Sequence, residues 1–147
     1  MKLELLTYEK ENLPVQESLI YHGDYTIQGG VKGLEKLVAD NPDMTAVFVT
    51  NYEMTMGAVI GMNELDLKIP EQLSMIGFDN LQFARACSPK LTIVAQPTSG
   101  IAREVASIML KRLGEAESEE TEPITEKLGA EIIMGKSVRV LKEKENS

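Results

Sequence analysis

The sequence predicts an α/β fold built on a parallel β-sheet. Short, β-branched apolar runs at Thr45–Val49, Leu73–Phe78 and Leu91–Val94 alternate with longer stretches in which apolar residues recur every three or four positions. The chain between Val49 and Leu73 is longer than the roughly dozen residues that a parallel crossover needs. The first two runs are therefore expected to be parallel neighbours joined by a right-handed helical crossover.

The other elements follow from the same periodicities and from turn residues. Helices are predicted at Gln28–Ala39, Tyr52–Leu65 and Thr98–Leu113, and the last of these places its apolar residues on one face. Less regular segments complete the prediction: a helix tail over 3–12, a short strand at Ser18–His22, and two terminal strands at Ala130–Met134 and Ser137–Leu141.

Composition limits the functions that this chain can have. Its 147 residues include 15 Lys and Arg against 23 Asp and Glu, a net charge of −8 without a segregated basic patch, which argues against direct binding to nucleic acid. No apolar run has the length of a transmembrane span or a signal peptide. A single Cys87 and a single His22 supply neither a disulfide nor a zinc set, so no metal is expected and a reducing cytoplasm is the expected location.

Two polar residues follow predicted strands where a ligand would bind in an open α/β sheet. Asn51 comes after the Thr45–Val49 run, and Asp79 comes after the next run. Because the carboxyl ends of parallel strands share one edge of a sheet, both side chains are expected there. The alternative is that Thr50 and Glu53, which have capping-box spacing, mark only the start of a helix.

The other candidate motifs are weaker indications of a functional site. Tyr25 could lie over a sugar or a base, although a Tyr at the end of a strand is usually a packing residue. The glycines within 23–33 fit neither the G-x-G-x-x-G pattern nor the P-loop pattern. His22 and Asp24 are not accompanied by a nucleophile elbow, so no catalytic residue is assigned.

The helix predicted at Tyr52–Leu65 is apolar nearly all round and rich in methionine. Such a helix is buried on two sides. One side can be its own sheet, and the other is either a second subunit, to which Met offers adaptable contact area, or the interior of a larger domain.

Four stretches of the sequence, taken together, carry a family resemblance. They are Gly23, Asp24 and Tyr25 with Gly30, an Asn-led helix from Asn51 to Gly57, I-P-E-x-L-S-x-I-G-F-D-N at 69–80, and P-x-L-T-x-V-x-Q-P at 89–97. Together they resemble the C-terminal half of the effector-binding domain of LacI/GalR-type transcription regulators, over about Leu13 to Leu141. Tyr52 and Thr55 depart from the pattern, because the family usually has Asp and a small Ala there.

The resemblance implies one parallel-sheet lobe of a periplasmic-binding-protein-like, Rossmann-like domain, truncated at its N-terminus. It assigns residues 1–96 to the C-terminal lobe, 97–114 to a crossover helix of the other lobe, 115–126 to an acidic loop, and 127–147 to terminal strands and a polar tail. It implies a sugar or related small metabolite in the cleft between the lobes, without a cofactor. The residues expected to line one face of that cleft are Tyr25, Asn51, Asp79 and Gln96.

The resemblance also implies a homodimer, and DNA contact only through a headpiece absent from this chain, with no membrane partner. The residues expected at the subunit contact are Met54, Met56, Phe83 and Cys87. The alternative function is a solute-binding component of a sugar transporter, which has the same fold, but the stretches at 69–80 and 89–97 favour the regulators. An enzyme is not expected, because the sequence shows no nucleophile, no pair of side chains for acid–base catalysis and no set of metal ligands.

In the resembled family, a strand that would lie upstream of Met1 separates the strands predicted at Ser18–His22 and Thr45–Val49. Without it, two strand edges would lack partners. Unpaired edges recruit other strands. We therefore expect the Ser18–His22 strand either to shift inward and pair with Thr45–Val49 or to pair with another chain.

Overall fold

The computed structural model describes residues 14–79, 81–114 and 123–140, which form a sheet with helices packed against it. The regular elements, in chain order, are a 3₁₀ turn (Glu17–Leu19), α1 (Ile27–Asp40), β1 (Ala46–Phe48), α2 (Tyr52–Glu64), β2 (Ser74–Phe78), α3 (Leu81–Ala86), β3 (Thr92–Ala95), α4 (Thr98–Gly114) and β4 (Glu131–Ile133). The predicted α/β class is confirmed. The short helix α3 is not among the predicted elements, because six residues are too few for a helical period to show.

The sheet has the strand order β1-β2-β3-β4. The first three strands are parallel, and β4 is antiparallel to β3. Ala46 lies opposite Ser74 in the first pair, and Ile76 lies opposite Thr92 in the second. The parallel pairing of β1 and β2, with α2 between them in the chain, is thus as predicted, and the carboxyl ends of β1, β2 and β3 meet at one edge of the sheet.

The core lies between the sheet and the helices α1 and α2. Its side chains include Leu34 of α1, Met62 of α2, Met75 of β2 and Ile93 of β3, of which the last three have no exposed surface. Apolar side chains of both helices therefore pack into one core with side chains of β2 and β3.

Helices α1 and α2 approach each other at two glycines. A Cβ at Gly30 would lie 2.8 Å from the Cα of Met54, and a Cβ at Gly57 would lie 2.9 Å from the Cα of Gly30. Both distances are shorter than atoms can approach without a shift of backbone. Gly30, one of the glycines that do not form a phosphate loop, and Gly57 thus allow the two helices to pack backbone to backbone.

The strand predicted at Ser18–His22 is absent. The Ser18 hydroxyl donates to Asn41 Oδ1 at 3.0 Å, and Asn41 Nδ2 donates to the Ser18 carbonyl at 2.8 Å. The ring of Tyr21 lies against Gly33 of α1, since a Cβ there would be 2.6 Å from Tyr21 Cδ1. These contacts hold the segment on α1. The side chain of Asn41 donates to the Ser18 carbonyl, a backbone group that would bond to a neighbouring strand if the segment were part of the sheet.

The expected inward pairing of this segment with β1 is therefore wrong. Among residues 14–79, 81–114 and 123–140, no strand lies beside β1 on the side away from β2, and Phe48 of β1 is 45% exposed. The other expectation, that the Ser18–His22 segment pairs with another chain, stays a prediction.

The last predicted strand, Ser137–Leu141, is also absent through Val140, the last described residue. Ser137 is buried, and its hydroxyl donates to the Met75 carbonyl at 2.6 Å and accepts from the Thr92 N–H at 2.8 Å. The Ser137 hydroxyl thus bridges a carbonyl near the start of β2 and an N–H at the start of β3, two backbone groups that would otherwise need partners in the sheet. The strand predicted at Ala130–Met134 is confirmed in the shorter form of β4.

Two predicted segments, the helix tail over 3–12 and most of the acidic loop over 115–126, lie outside the described residues. Within the described residues, no helix has the length and apolar character needed to span a membrane.

Candidate functional site

Three of the four predicted ligand residues lie at the carboxyl edge of the sheet. Asn51, Asp79 and Gln96 come shortly after the ends of β1, β2 and β3. Tyr25 lies in the turn just before α1, so the prediction that it also follows a strand is wrong. The segment Ser18–His22, which was expected to be that strand, is held on α1 instead.

Asp79 and Gln96 form a direct pair across neighbouring strand ends. The Gln96 side-chain Nε2 donates to Asp79 Oδ2 at 2.6 Å, and the Gln96 backbone N–H donates to Asp79 Oδ1 at 3.0 Å. The Asp79 N–H donates to the Val94 carbonyl at 2.8 Å, and its φ of 55° places it in the left-handed region that Asp tolerates better than most residues. Each carboxylate oxygen holds one of these bonds and has a further lone pair for a ligand hydroxyl.

Asn51 begins helix α2. Its Oδ1 accepts from the Met54 N–H at 3.1 Å, which satisfies one of the free amide groups of the first turn. The helix therefore starts in this stretch, as the capping-box spacing indicates, but its cap is Asn51 rather than Thr50. The Asn51 Nδ2 group remains a donor at the same edge as the Asp79 carboxylate.

Tyr25 lies in a turn fixed by its neighbours. Asp24 Oδ1 accepts from the Thr26 N–H at 3.1 Å and from the Thr26 hydroxyl at 2.8 Å, and Thr26 Oγ1 in turn caps α1 by accepting from Gly29 N at 2.9 Å. The bond from the Thr26 hydroxyl is the main cause that lowers the pKa of Asp24. Tyr25 has a φ of 62° and is 72% exposed, so the turn presents its ring outward above the start of α1.

Thr55 is a buried polar residue that the prediction of ligand residues does not include. Its hydroxyl donates to the Asn51 carbonyl at 2.7 Å and accepts from the Phe78 N–H at 3.3 Å. The signal in the sequence is a single Thr among the apolar residues of α2, where a hydroxyl needs a partner. What that partner is depends on the distance between α2 and β2, which the sequence does not show.

The predicted subunit-contact residues are half-buried. Met54 covers Gly23, where a Cβ would lie 2.6 Å from the Met54 sulfur, while Phe83 and Cys87 also pack against the core. Burial raises the pKa of the Cys87 thiol. Met56 is spaced four residues from the exposed Tyr52 and Ile60, so these three side chains share one face of α2.

The described residues contain no group of three or more His, Cys, Asp or Glu side chains that could hold a metal ion. The three predicted ligand residues at the carboxyl edge, Asn51, Asp79 and Gln96, offer hydrogen bonds from one carboxylate and two side-chain amides.

The sequence profile of the periplasmic binding protein-like domain family matches residues 5–138. The chain belongs to this family. The parallel strands and the polar residues at their carboxyl ends fit a periplasmic binding protein-like lobe, and the expected fold class is confirmed.

Transcription regulators are among the proteins that this periplasmic binding protein-like chain resembles. The HTH-type transcriptional repressor PurR of Yersinia pestis (strain Pestoides F) is 35% identical over 109 residues, which are 74% of this chain and 32% of the repressor. A transcriptional regulator CelR in complex with cellobiose superposes with a TM-score of 0.80 at 27% identity, covering 90% of this chain and 39% of that one.

A LacI family transcriptional regulator from Enterococcus faecium with bound ribose gives a TM-score of 0.77 at 28% identity, covering 94% of this chain and 50% of that one. The resemblance to LacI/GalR-type regulators is thereby confirmed. The chain spans about a third of the length of the curated repressor and at most half of these two solved structures. The proteins named are regulators of transcription.

Proposed function

We propose that this chain is the effector-binding and dimerisation part of a LacI/GalR-type transcription regulator that senses a sugar or a related small metabolite. The observation that carries the proposal is the Asp79–Gln96 pair at the carboxyl edge of the sheet, where open α/β folds bind ligands. Solved relatives with bound cellobiose and ribose support the class of ligand.

The side chains at this edge suit a polyhydroxylated molecule. The Asp79 carboxylate accepts hydroxyl hydrogen bonds, and its charge makes them stronger than neutral ones. Asn51 and Gln96 add amide donors and acceptors. Tyr25, whose ring is exposed beside the start of α1, offers an apolar surface to the face of a sugar ring.

The chain supplies one wall of the cleft in this proposal. The rest of the full-length protein supplies the other wall, to which α4 belongs, and a DNA-binding headpiece; the regulator acts in the cytoplasm. The share of the solved relatives that the chain covers supports this division. The isolated chain is accordingly expected to bind the effector weakly or not at all.

The dimer contact in this proposal is isologous and uses the exposed face of α2 with the segment Leu81–Cys87. Support comes from Tyr52 and Ile60, both 39% exposed, which flank Met56 on that face. Met56→Glu is expected to shift sedimentation at micromolar concentration from dimer to monomer, because it places a charge in an apolar contact. Gln28→Glu, which adds the same charge at an exposed position of α1, is the control. A dimer that survives Met56→Glu would exclude this face.

The effector site is tested by calorimetry of the full-length protein against a panel of sugars and sugar phosphates. Asp79→Asn is the variant of choice, because Asn keeps the shape of the side chain and tolerates the positive φ. Loss of the charged acceptor should weaken binding by about tenfold to a hundredfold, equivalent to about 1–3 kcal/mol.

Asp43→Asn serves as the control, since it removes one charge from an exposed residue before β1, at the opposite edge of the sheet. Unchanged affinity for a confirmed effector in Asp79→Asn would remove Asp79 from the site. Tight binding of a sugar by a full-length protein that does not bind DNA would favour the solute-binding alternative.

A further inference from the structure

The Thr55 side chain connects two strand ends of the candidate site. It is 2% exposed, and its hydroxyl bonds both the Asn51 carbonyl, at 2.7 Å, and the Phe78 N–H, at 3.3 Å. Asn51 carries one proposed ligand group, and Phe78 directly precedes Asp79, which carries another. One buried hydroxyl is therefore the shared partner of both segments.

The bond to Phe78 continues the β1–β2 ladder after β1 has ended. Ser74 N–H donates to the Thr45 carbonyl, and the Ile76 carbonyl accepts from Val49 N–H, so alternate residues of β2 bond to the β1 side. Phe78 is the next residue in that alternation and lies beyond the last register pair, Phe48 with Ile76. Its N–H takes the Thr55 hydroxyl as acceptor.

The direction of both bonds is fixed. A backbone N–H can only donate, so the Thr55 oxygen must accept from Phe78. Its single proton then points to the Asn51 carbonyl, which also accepts from Thr55 N at 2.9 Å. Valine, which has the same branched shape, can make neither side-chain bond.

The strand opposite Thr55 is shaped to admit the side chain. A Cβ at Gly77 would lie 2.5 Å from Thr55 Cγ2, so only glycine at position 77 leaves room for the methyl group. The approach of α2 to the end of β2 thus depends on a threonine and a glycine together.

We infer that Thr55 is a positioning residue of the effector site, whose hydroxyl holds Asn51 and Asp79 at a fixed separation. The inference rests on the proposed function for the role of those two side chains. The bond itself is a property of the chain that can be measured without a ligand.

The first test measures amide hydrogen exchange by NMR in the 147-residue chain. Thr55→Val should raise the exchange rate of the Phe78 amide by roughly tenfold, because that amide loses its acceptor. Thr55→Ser, which keeps the hydroxyl, should restore protection. The chemical shifts of the Asp79 amide and of the Gln96 side-chain amide should move in Thr55→Val and not in Thr55→Ser.

Thr92→Val is the matched control. Thr92 is 1% exposed and its hydroxyl accepts from Gly135 N at 3.0 Å, but it lies at the start of β3, at the other edge of the sheet. It measures what the loss of a buried threonine hydroxyl does to the whole fold. The Phe78 exchange rate and the two chemical shifts should remain as in the wild type in this variant.

The second test measures effector affinity in the full-length protein. Thr55→Val should lower affinity by about tenfold, whereas Thr55→Ser and Thr92→Val should stay within about threefold of the wild type. A merely structural role would instead make Thr55→Ser, which loses the methyl group, at least as harmful as Thr55→Val.

The outcomes separate this inference from the proposed function. Equal protection of the Phe78 amide in the wild type and Thr55→Val, or unmoved shifts at Asp79 and Gln96, would overturn the inference whatever the ligand. An affinity that falls in Asp79→Asn but not in Thr55→Val would overturn it as well. An effector indifferent to Asp79→Asn would contradict the proposed site, and the exchange rates would still decide the bond.

Discussion

Two regions of this chain contain helices with an apolar face, and only one of them buries that face. In α1 and α2, Leu34 is 2% exposed and Met62 has no exposed surface. In α4, Val105 is 51% exposed, Met109 is 58% exposed and Leu113 is 81% exposed. The same helical periodicity thus leads to a packed layer in one region and an uncovered face in the other.

The strand that follows α4 shares this exposure. Ile132 of β4 is 61% exposed and Met134 is 74% exposed, and Leu128 lines a groove together with Ile101 and Val105 of α4. Apolar periodicity specifies that a face exists but not what covers it, since the cover is a tertiary or quaternary partner. This exposure supports the prediction that 97–114 packs into a second lobe, which stays a prediction.

The largest expected effect separates the two regions directly. Met62→Ala should lower the free energy of unfolding by about 2–5 kcal/mol, because it leaves a cavity in the core. Met109→Ala, at an exposed position of the apolar face of α4, should change it by less than about 0.5 kcal/mol. Urea denaturation of the chain measures both. Comparable losses in the two variants would show that α4 is covered in solution, for example by a second copy.

A smaller effect is expected from adding one methyl group to a glycine in each region. Gly57→Ala should destabilise the chain by about 1–3 kcal/mol, because the new Cβ would force α1 and α2 apart. Gly100→Ala in α4 should be neutral or stabilise by up to about 1 kcal/mol, since its Cβ would meet Pro97 Cβ at an ordinary 3.6 Å and Ala favours the helix. A neutral Gly57→Ala would mean that the helices pack less closely than their glycines indicate.

The elements that sequence could predict are those whose signal is local and long. Three helices and the three parallel strands have runs or periods of adequate length, and the crossover rule then gives their direction. The segment at Ser18–His22 has strand-like composition, but it does not form a strand. Ser18 instead bonds Asn41, which lies more than twenty residues away in the chain. Ser137 likewise replaces strand pairing through bonds to residues far along the chain. Such partners depend on tertiary structure.

The candidate site divides in the same way. The adjacency of Asp79 and Gln96 follows from the order of β2 and β3, and a parallel pair brings residues after both strands together. The cap at Asn51 in place of Thr50 depends on where the chain leaves β1. The bond between Thr55 and Phe78 depends on how closely α2 approaches the sheet, which Gly77 permits but does not reveal in the sequence alone.

The smallest expected effect concerns the start of α1, where side-chain bonds hold the turn that carries Tyr25. Bonds from Thr26 lower the pKa of Asp24 below its ordinary value of 3.8. A carboxyl whose pKa is lower in the folded state stabilises that state above the unfolded pKa, and this stabilisation is lost as the pH falls through the folded pKa. The wild type should therefore lose stability between about pH 5 and pH 3 more steeply than Asp24→Asn, which does not ionise and can still accept through Oδ1.

The measurement is the unfolding midpoint of the chain from neutral to acidic pH. The two curves should differ most near neutral pH and converge below the folded pKa of Asp24. Asp43→Asn, in the turn before β1, controls for the loss of one surface charge. Because Asp24 is fully exposed, the separation should shrink as salt screens its interaction with the start of α1. If the Asp24→Asn curve stayed parallel to the wild type down to pH 3, the Asp24–Thr26 bonds would not hold the turn in solution, and Tyr25 would have no fixed position beside the site.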